Sequence, residues 1–334
     1  MRVSRRTLLG ATLPVAALGA TLAVGARPLR AAADPAIRIG VLRFGTVSWE
    51  IDVIRHHALD AARHIAVEPT ELATAQAAQV ALQAGQVDMI VIDWLWVARQ
   101  RGAKADWTFV PFSNAAGALI APANSPVRDV RDLVGHSLGI AGSPLDKSWL
   151  ILQAYASQHY GLDLNARTDK SFGPPPLLSE QMKLGRLDAV LTYWPYAAKA
   201  EAAGARNILT VEDAVRALGV AAGVPYIGYT FAQHWAEQNA ALADGFLDAS
   251  RQARGILAAS DAEWQRVKPL TGAADDGELV RLRDWYRSGI PLHWGSPERQ
   301  AAVRLFEILA KIGGPELTGP INAIPEGTFW PVTW

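Results

Sequence analysis

One ten-residue pattern occurs twice in this chain. Gly85-Gln86-Val87-Asp88-Met89-Ile90-Val91-Ile92-Asp93-Trp94 returns 100 residues later as Gly185-Arg186-Leu187-Asp188-Ala189-Val190-Leu191-Thr192-Tyr193-Trp194. Each copy reads as a helix end, a glycine, one free position, an apolar residue, an aspartate, a short strand and a tryptophan. Gly85 and Gly185 suit the left-handed conformation that closes many helices. Each strand then delivers a polar or aromatic pair at its carboxyl end, and ligands of open α/β sheets lie outside carboxyl strand ends. Two such ends, one per sheet, are able to face each other across a cleft. The same string is also a common helix-to-strand connection, so the rest of the chain has to carry the argument.

At 334 residues and about 150 per domain, the chain has room for two domains. Half the residues are hydrophobic and 19% are charged, ample for sizeable cores and unlike a disordered composition. Short apolar runs at 37–42, 65–67, 89–92, 118–121, 137–141, 189–192 and 226–231 read as strands. Helical periodicity occupies 49–63 and the Ala-rich stretches between strands, which predicts mainly parallel, covered sheets of an α/β protein. Beyond Phe231 the pattern turns helical at 239–259, 261–268, 277–287 and 297–312. The proline-rich tail, 313–334, reads as irregular and wrapped on the surface.

Residues 1–33 stand apart. Arg2, Arg5 and Arg6 precede an uncharged apolar stretch from Leu8 to Ala26, and Ala31-Ala32-Ala33 precede Asp34, the order of an export signal cleaved near Ala33. Ser4-Arg5-Arg6-Thr7-Leu8-Leu9 resembles the twin-arginine signal, with the general secretory route as alternative and an uncleaved anchor as the competing reading. Removing the segment's five arginines leaves 27 basic against 32 acidic residues, a formal charge of −5. That balance lacks the basic footprint of a nucleic-acid binder. The absence of cysteine excludes disulfides, thiolate metal sites and cysteine nucleophiles.

The segments AGQVDMIVID, VRDLVGHSLGIAGSPLDKSWLILQAYASQHYGLDL, LGRLDAVLTYWPYAAKA and FAQHWAEQNAALADGFLDASRQA follow a first strand of the type Ile-Arg-Ile-Gly-Val in that order. Together they resemble the solute-binding proteins of ABC importers, type II periplasmic binding proteins that include alkanesulfonate, taurine, nitrate and pyrimidine-precursor binders. The resemblance spans residues 37–260. It implies two α/β lobes joined by two crossovers that close around a solute, with extra C-terminal helices. Lobe one would be 34–122 plus 224–334 and lobe two 123–223, with crossovers near Pro122 and Val224.

Candidate pocket residues come from strand ends. Thr46, Ser48 and Trp49 follow the first strand, where hydroxyls, an indole and helix-start N–H groups gather; Ser48 also reads as a helix cap, and Arg43 as a surface partner. Ser143 and Lys147 sit where a long helix begins after 137–141, the position at which the family's second lobe grips a solute head group. Asp146 in the same turn opposes an anion and leaves a neutral or cationic ligand open. Asp93 and Trp94 end one strand of the repeat, Tyr193 and Trp194 the other, and Tyr226 lies near the second crossover. Trp149 is a weaker candidate, while Trp235, Trp264, Trp285 and Trp294 read as packing residues. Ser179 and Gln181 border a stiff Pro174–Pro176 rim, and Ser179 doubles as a helix cap.

Hydrolase, Walker, dinucleotide and His-Glu-x-x-His patterns are all missing, and His56, His57 and His64 lack the spacing that places two metal ligands on one helix face. The reading is a periplasmic, monomeric binding protein without catalytic residues, cofactor or metal. It captures an anionic or planar small molecule, sulfonate-, nitrate- or pyrimidine-like, and passes it to an ABC permease. An accessory or sensor partner of a periplasmic enzyme is the alternative, and a lyase or transferase on the same scaffold a third reading.

Overall fold

The computed structural model describes residues 34–334 apart from Phe44 and Ala222. The export signal and its cleavage site lie outside the described residues. The chain forms ten strands: β1 (Ala36–Leu42), β2 (Ala66–Leu72), β3 (Met89–Ile92), β4 (Trp107–Ser113), β5 (Gly117–Ala121), β6 (Ser137–Ala141), β7 (Asp169–Gly173), β8 (Ala189–Tyr193), β9 (Arg206–Thr210) and β10 (Ile227–Ala232). The helices are α1 (Val47–His56), α2 (Ala75–Gln83), α3 (Trp94–Gly102), α4 (Lys147–Tyr160), α5 (Leu164–Arg167), α6 (Pro175–Lys183), α7 (Trp194–Ala202), α8 (Val211–Ala217), α9 (Gln233–Gln238), α10 (Ala240–Ala259), α11 (Asp261–Thr271), α12 (Asp276–Ser288) and α13 (Ser296–Thr318).

Two five-stranded sheets result, in the orders β2-β1-β3-β10-β4 and β7-β6-β8-β5-β9. The orders are equivalent strand for strand. In each, three parallel strands are followed by one antiparallel strand that enters from the other lobe: β10 pairs antiparallel with β3 and β4, and β5 with β8 and β9. Residues 118–121, expected in lobe one, are thus a strand of the second sheet. The first passage between lobes runs through 114–116 rather than near Pro122, and the return through 218–226. A short apolar run reveals that a strand is buried but not which sheet accepts it.

The repeated pattern has a structural cause. Gly85 and Gly185 both adopt φ near +67° and +68°, ending α2 and α6. The aspartate that follows is a strand clamp. Asp88 accepts the backbone N–H of Arg38 at 2.9 Å and its guanidinium Nε at 3.0 Å, tying β3 to β1. Asp188 accepts the N–H of Ser137 at 2.9 Å and its hydroxyl at 2.8 Å, tying β8 to β6. The same chemistry at the same register builds the same parallel pairing in both lobes.

Local departures follow from local rules. Helix α1 stops at His56 instead of continuing to 63, because Ala58 turns to a φ of +51° before the short 3-10 turn Ala61–Arg63. Helix α13 runs to Thr318 but breaks direction at Gly314, whose φ/ψ of 58°/−160° precede Pro315. The tail is docked, not loose: Phe109 bridges Phe329, and the Trp330 N–H donates to the Phe109 carbonyl at 3.0 Å along the edge of β4. Trp294, fully buried, packs on Phe329 at 5.2 Å and exchanges backbone bonds with Trp334.

The C-terminal helices span both lobes. Helix α10 lies on α1, while α12 packs on α7 and α13 on α4 of the second lobe. Lys199 pairs with Glu278 at 2.8 Å and the Trp285 Nε1–H donates to Glu201 at 2.9 Å across the α7–α12 contact. Among the described residues no helix is long and apolar enough to cross a membrane.

The Ser137 N–H, foremost, holds the Asp188 carboxyl below its ordinary range, against its partial desolvation. A depressed carboxylate contributes stability above its unfolded pKa that is lost as pH falls through the folded one. Asp188→Asn is therefore expected to cost about 2 kcal/mol in urea unfolding at neutral pH. The gap from wild type should close as pH drops below the ordinary aspartate range; a pH-independent gap would show that the clamp is not ionic.

Candidate ligand cleft

The carboxyl ends of β1 and β3 in one lobe and the starts of α4 and α7 in the other enclose a cavity of about 390 Å3. Its floor is formed by the two passages between lobes, at Ala115, Ala116, Tyr226 and Ile227. Helix starts and carboxyl strand ends converge here because both sheets have the same parallel order, so each presents its carboxyl edge to the other. The lining is mostly apolar, supplied by Val41, Leu42, Val47, Ile92, Trp194 and Pro195. Volume and apolarity are those of a small-molecule site.

Three charged side chains line it. Asp93, from the end of β3, caps α3 by accepting the Trp96 N–H at 3.0 Å. Its other oxygen lies 3.4 Å from the Lys147 ammonium, an ion pair between the lobes with both side chains about three-quarters buried. Asp146 caps α4 through the Ser148 N–H at 2.9 Å and accepts the Tyr193 hydroxyl at 3.1 Å. Gly142 makes this approach possible: at φ +97° a Cβ there would sit 2.8 Å from the Tyr193 hydroxyl and 2.9 Å from Asp146 Oδ2. Burial pushes the Asp146 carboxyl up, outweighing Lys147 and the donated bonds. Burial pulls Lys147 down, but Asp93 and Asp146 together hold it above its ordinary value. Burial, then the Asp146 charge, raises the Tyr193 phenol.

Of the residues singled out in the sequence, Thr46, Asp93, Lys147, Tyr193, Trp194 and Tyr226 line the cavity, as do Asp146 and Tyr196. Ser48, Trp49, Trp94 and Ser143 do not. Trp94 is 1% exposed and turned into the core, 6.4 Å from Phe329 of the tail, so the two repeat tryptophans do not face each other. Trp49 lies behind α1, donates to the Leu270 carbonyl at 3.1 Å and meets Trp194 edge-on at 6.0 Å. Trp194 of lobe two is thereby part of the hydrophobic core of lobe one. Ser48 donates to the Gly45 carbonyl within its own turn, and Thr46, not Ser48, is the first cap residue of α1. Ser143 is exposed and accepts the Leu145 N–H. Trp149 is buried 6.5 Å from Phe172. Helix α6 begins at Pro175, so Ser179 is a mid-helix residue rather than a cap, and neither it nor Gln181 reaches the cavity. Arg43 pairs with Glu71 on the surface at 3.4 Å.

The sequence pattern missed Val47, Ala75, Ala78, Ala115 and Ala116, small or aliphatic residues with no chemical signature of their own. It also missed what fixes α1 beside the cleft. Glu50 is fully buried, accepts hydroxyls from Tyr229 at 2.5 Å, Tyr286 at 3.3 Å and Ser250, and faces Arg254 at 3.8 Å. Burial raises its carboxyl despite these partners. At the passages themselves, Glu212 of α8 accepts the Ala116 N–H at 2.6 Å, and burial pushes its carboxyl up to about 7. A second recess of about 500 Å3 lies behind it, lined by Asn114, Arg216, Arg281 and Trp285.

No protein-family model and no curated protein sequence matches this chain. Solved structures do. The periplasmic aliphatic sulphonate binding protein SsuA from Escherichia coli superposes with a TM-score of 0.70 at 18% identity, over 88% of this chain and 92% of that one. The chain has the fold of a two-lobed periplasmic binding protein. The alkanesulfonate-binding protein SsuA from Xanthomonas axonopodis pv. citri, bound to MOPS, superposes at 0.65 and 17% identity over 90% of this chain and 99% of its own. The desulfurization enzyme DSZB shares the fold at a TM-score of 0.56 and 13% identity, over 88% and 97% of the two chains. This fold therefore carries both solute binding and catalysis, and the site has to decide between them.

Because Trp94 packs on the tail and not on the cleft, Trp94→Ala is expected to cost about 3–5 kcal/mol of stability. Solute affinity of the folded fraction should stay unchanged. A variant that keeps its urea midpoint but loses binding would refute this assignment.

Proposed function

We propose that this protein is an exported solute-binding component of an ABC importer, directed by the twin-arginine-like segment 1–33 to the periplasm, where it works as a monomer. The observation that carries the reading is the cleft: two topologically equivalent lobes, joined only through 114–116 and 218–226 in sequence, meet around an apolar cavity at their carboxyl strand ends. Closure of such lobes about two passages is a motion that captures solute without a catalytic group. The sulfonate-binding structures of the same fold support a small-molecule ligand, and delivery to a membrane permease follows from that role. Lobe one would comprise 34–114 with 227–334, and lobe two 117–217.

Within the cleft Thr46, Asp93, Lys147, Tyr193, Trp194 and Tyr226 are the proposed solute contacts. Trp194 presents an indole to the cavity while its ring edge rests on Trp49 of the opposite lobe, so its environment depends on how the lobes meet. The likeness to DSZB favours a second reading, catalysis on this scaffold, which product formation with candidate substrates would reveal.

The test is native mass spectrometry of the protein isolated from exporting cells, followed by thermal-shift and tryptophan-fluorescence screening against sulfonates, nitrate, pyrimidines, aromatic acids and amines. At least one copurified or added solute should raise Tm, since a ligand that binds only the native state stabilises it by mass action. Trp194→Ala should weaken that solute about tenfold or more. No bound mass and no shift across the panel would sink the reading.

A further inference from the structure

The charges of the cleft are unbalanced. Among the described residues Asp93 and Asp146 face a single ammonium, that of Lys147, and no arginine lines the cavity. Lys147 is committed to Asp93 across the lobes at 3.4 Å. Asp146 accepts its hydrogen bonds from neutral donors, the Ser148 N–H and the Tyr193 hydroxyl, and shares the one Lys147 charge with Asp93. Formally the lining carries one negative charge.

Several donors that would receive an anion are engaged. Asp146 caps the start of α4 and Asp93 that of α3. Helix α1 lacks a side-chain cap, and its Ser48 and Trp49 N–H groups turn inward, to Gly45 at 3.4 Å and Thr46 at 3.2 Å. At α7 the Trp194 N–H donates to the Ala116 carbonyl at 3.0 Å, and Pro195 has no N–H to offer. A sulfonate or carboxylate entering here meets carboxylates where it needs donors, a mismatch that costs affinity.

The aromatic lining is a second observation, independent of these carboxylates. Tyr193, Trp194 and Tyr196 border the cavity, and aromatic rings receive both apolar bodies and ammonium groups. Tyr226 of the cavity floor is 7% exposed and also lines the recess behind Glu212, its hydroxyl buried without a hydrogen-bond partner among the described residues.

Resting on the solute-binding reading, we infer that the ligand is a cation: an ammonium-type group set against Asp146, carried on an apolar body that lies along Trp194 and Tyr196. Lys147 and Asp93 then act as the bridge that closes one lobe on the other, and Asp146 as the selector. A bound cation offsets the desolvation that disfavours the Asp146 charge.

Three probes that share one ring and differ in the head group test this by titration calorimetry: benzylamine, benzyl alcohol and phenylmethanesulfonate. Benzylamine should bind at least about tenfold tighter than either of the others. Asp146→Asn keeps a capping oxygen for Ser148 and removes the charge, so it should erase the preference without unfolding α4. A sulfonate that binds as well as the amine, an unaltered preference in Asp146→Asn, or no heat from benzylamine overturns the cation. Of these, sulfonate binding leaves the solute-binding reading standing, and silence from all three probes leaves it to the copurified solute.

Discussion

Everything about the cleft depends on the chain crossing between two sheets twice and laying down an antiparallel strand each time. β5 and β10 are the strands that enter second from one edge in their respective sheets, and each pairs on both sides. Because both are fully hydrogen-bonded at once, the passages that lead into them, 114–116 and 218–226, are short and anchored at both ends. The cavity floor is built from those same residues and Ile227, so the proposed solute site adjoins both passages between the sheets. Glu212, which grips the Ala116 N–H, holds the first passage, while Asp93 and Lys147 belong to the edges that meet above it.

The inner strands were legible in the sequence, and of the edges only β2, through 65–67. β1, β3, β5, β6, β8 and β10 lie inside their sheets and read as apolar runs, as buried strands do. β7 and β9 are edges whose sequences, Asp169-Lys170-Ser171-Phe172-Gly173 and Arg206-Asn207-Ile208-Leu209-Thr210, look like polar loops. β4, the remaining edge missed, carries Pro111, which is tolerated where one side of a strand lacks a sheet partner. The repeat was legible for a different reason, since Asp88 and Asp188 perform a chemical task that constrains residue type as well as pattern.

For the site, strand-end logic led to residues that share one cavity, Thr46, Asp93, Lys147, Tyr193, Trp194 and Tyr226, but did not give the direction of each side chain. Trp94 and Trp194 occupy equivalent positions at the first turns of α3 and α7, yet one points to the tail and the other to the cleft. Nothing in the repeat distinguishes them. The difference lies in what each lobe has nearby: the aromatic tail residues Phe329 and Trp294 for Trp94, and Trp49 with its partners Trp264 and Tyr286 for Trp194. Asp146, noted in the sequence as an acid that opposes an anion, lines the cavity beside Lys147 and Tyr193.

The docked tail has a further consequence. Phe329 and Trp330 lie along β4, pinned by Arg299 bonds to the Trp330 and Val332 carbonyls and by the Trp294–Trp334 exchange. They occupy the rim at which an open sheet would otherwise recruit a strand from another molecule. Residues 329–334 thus cover backbone groups that the outer edge of β4 would otherwise leave unpaired.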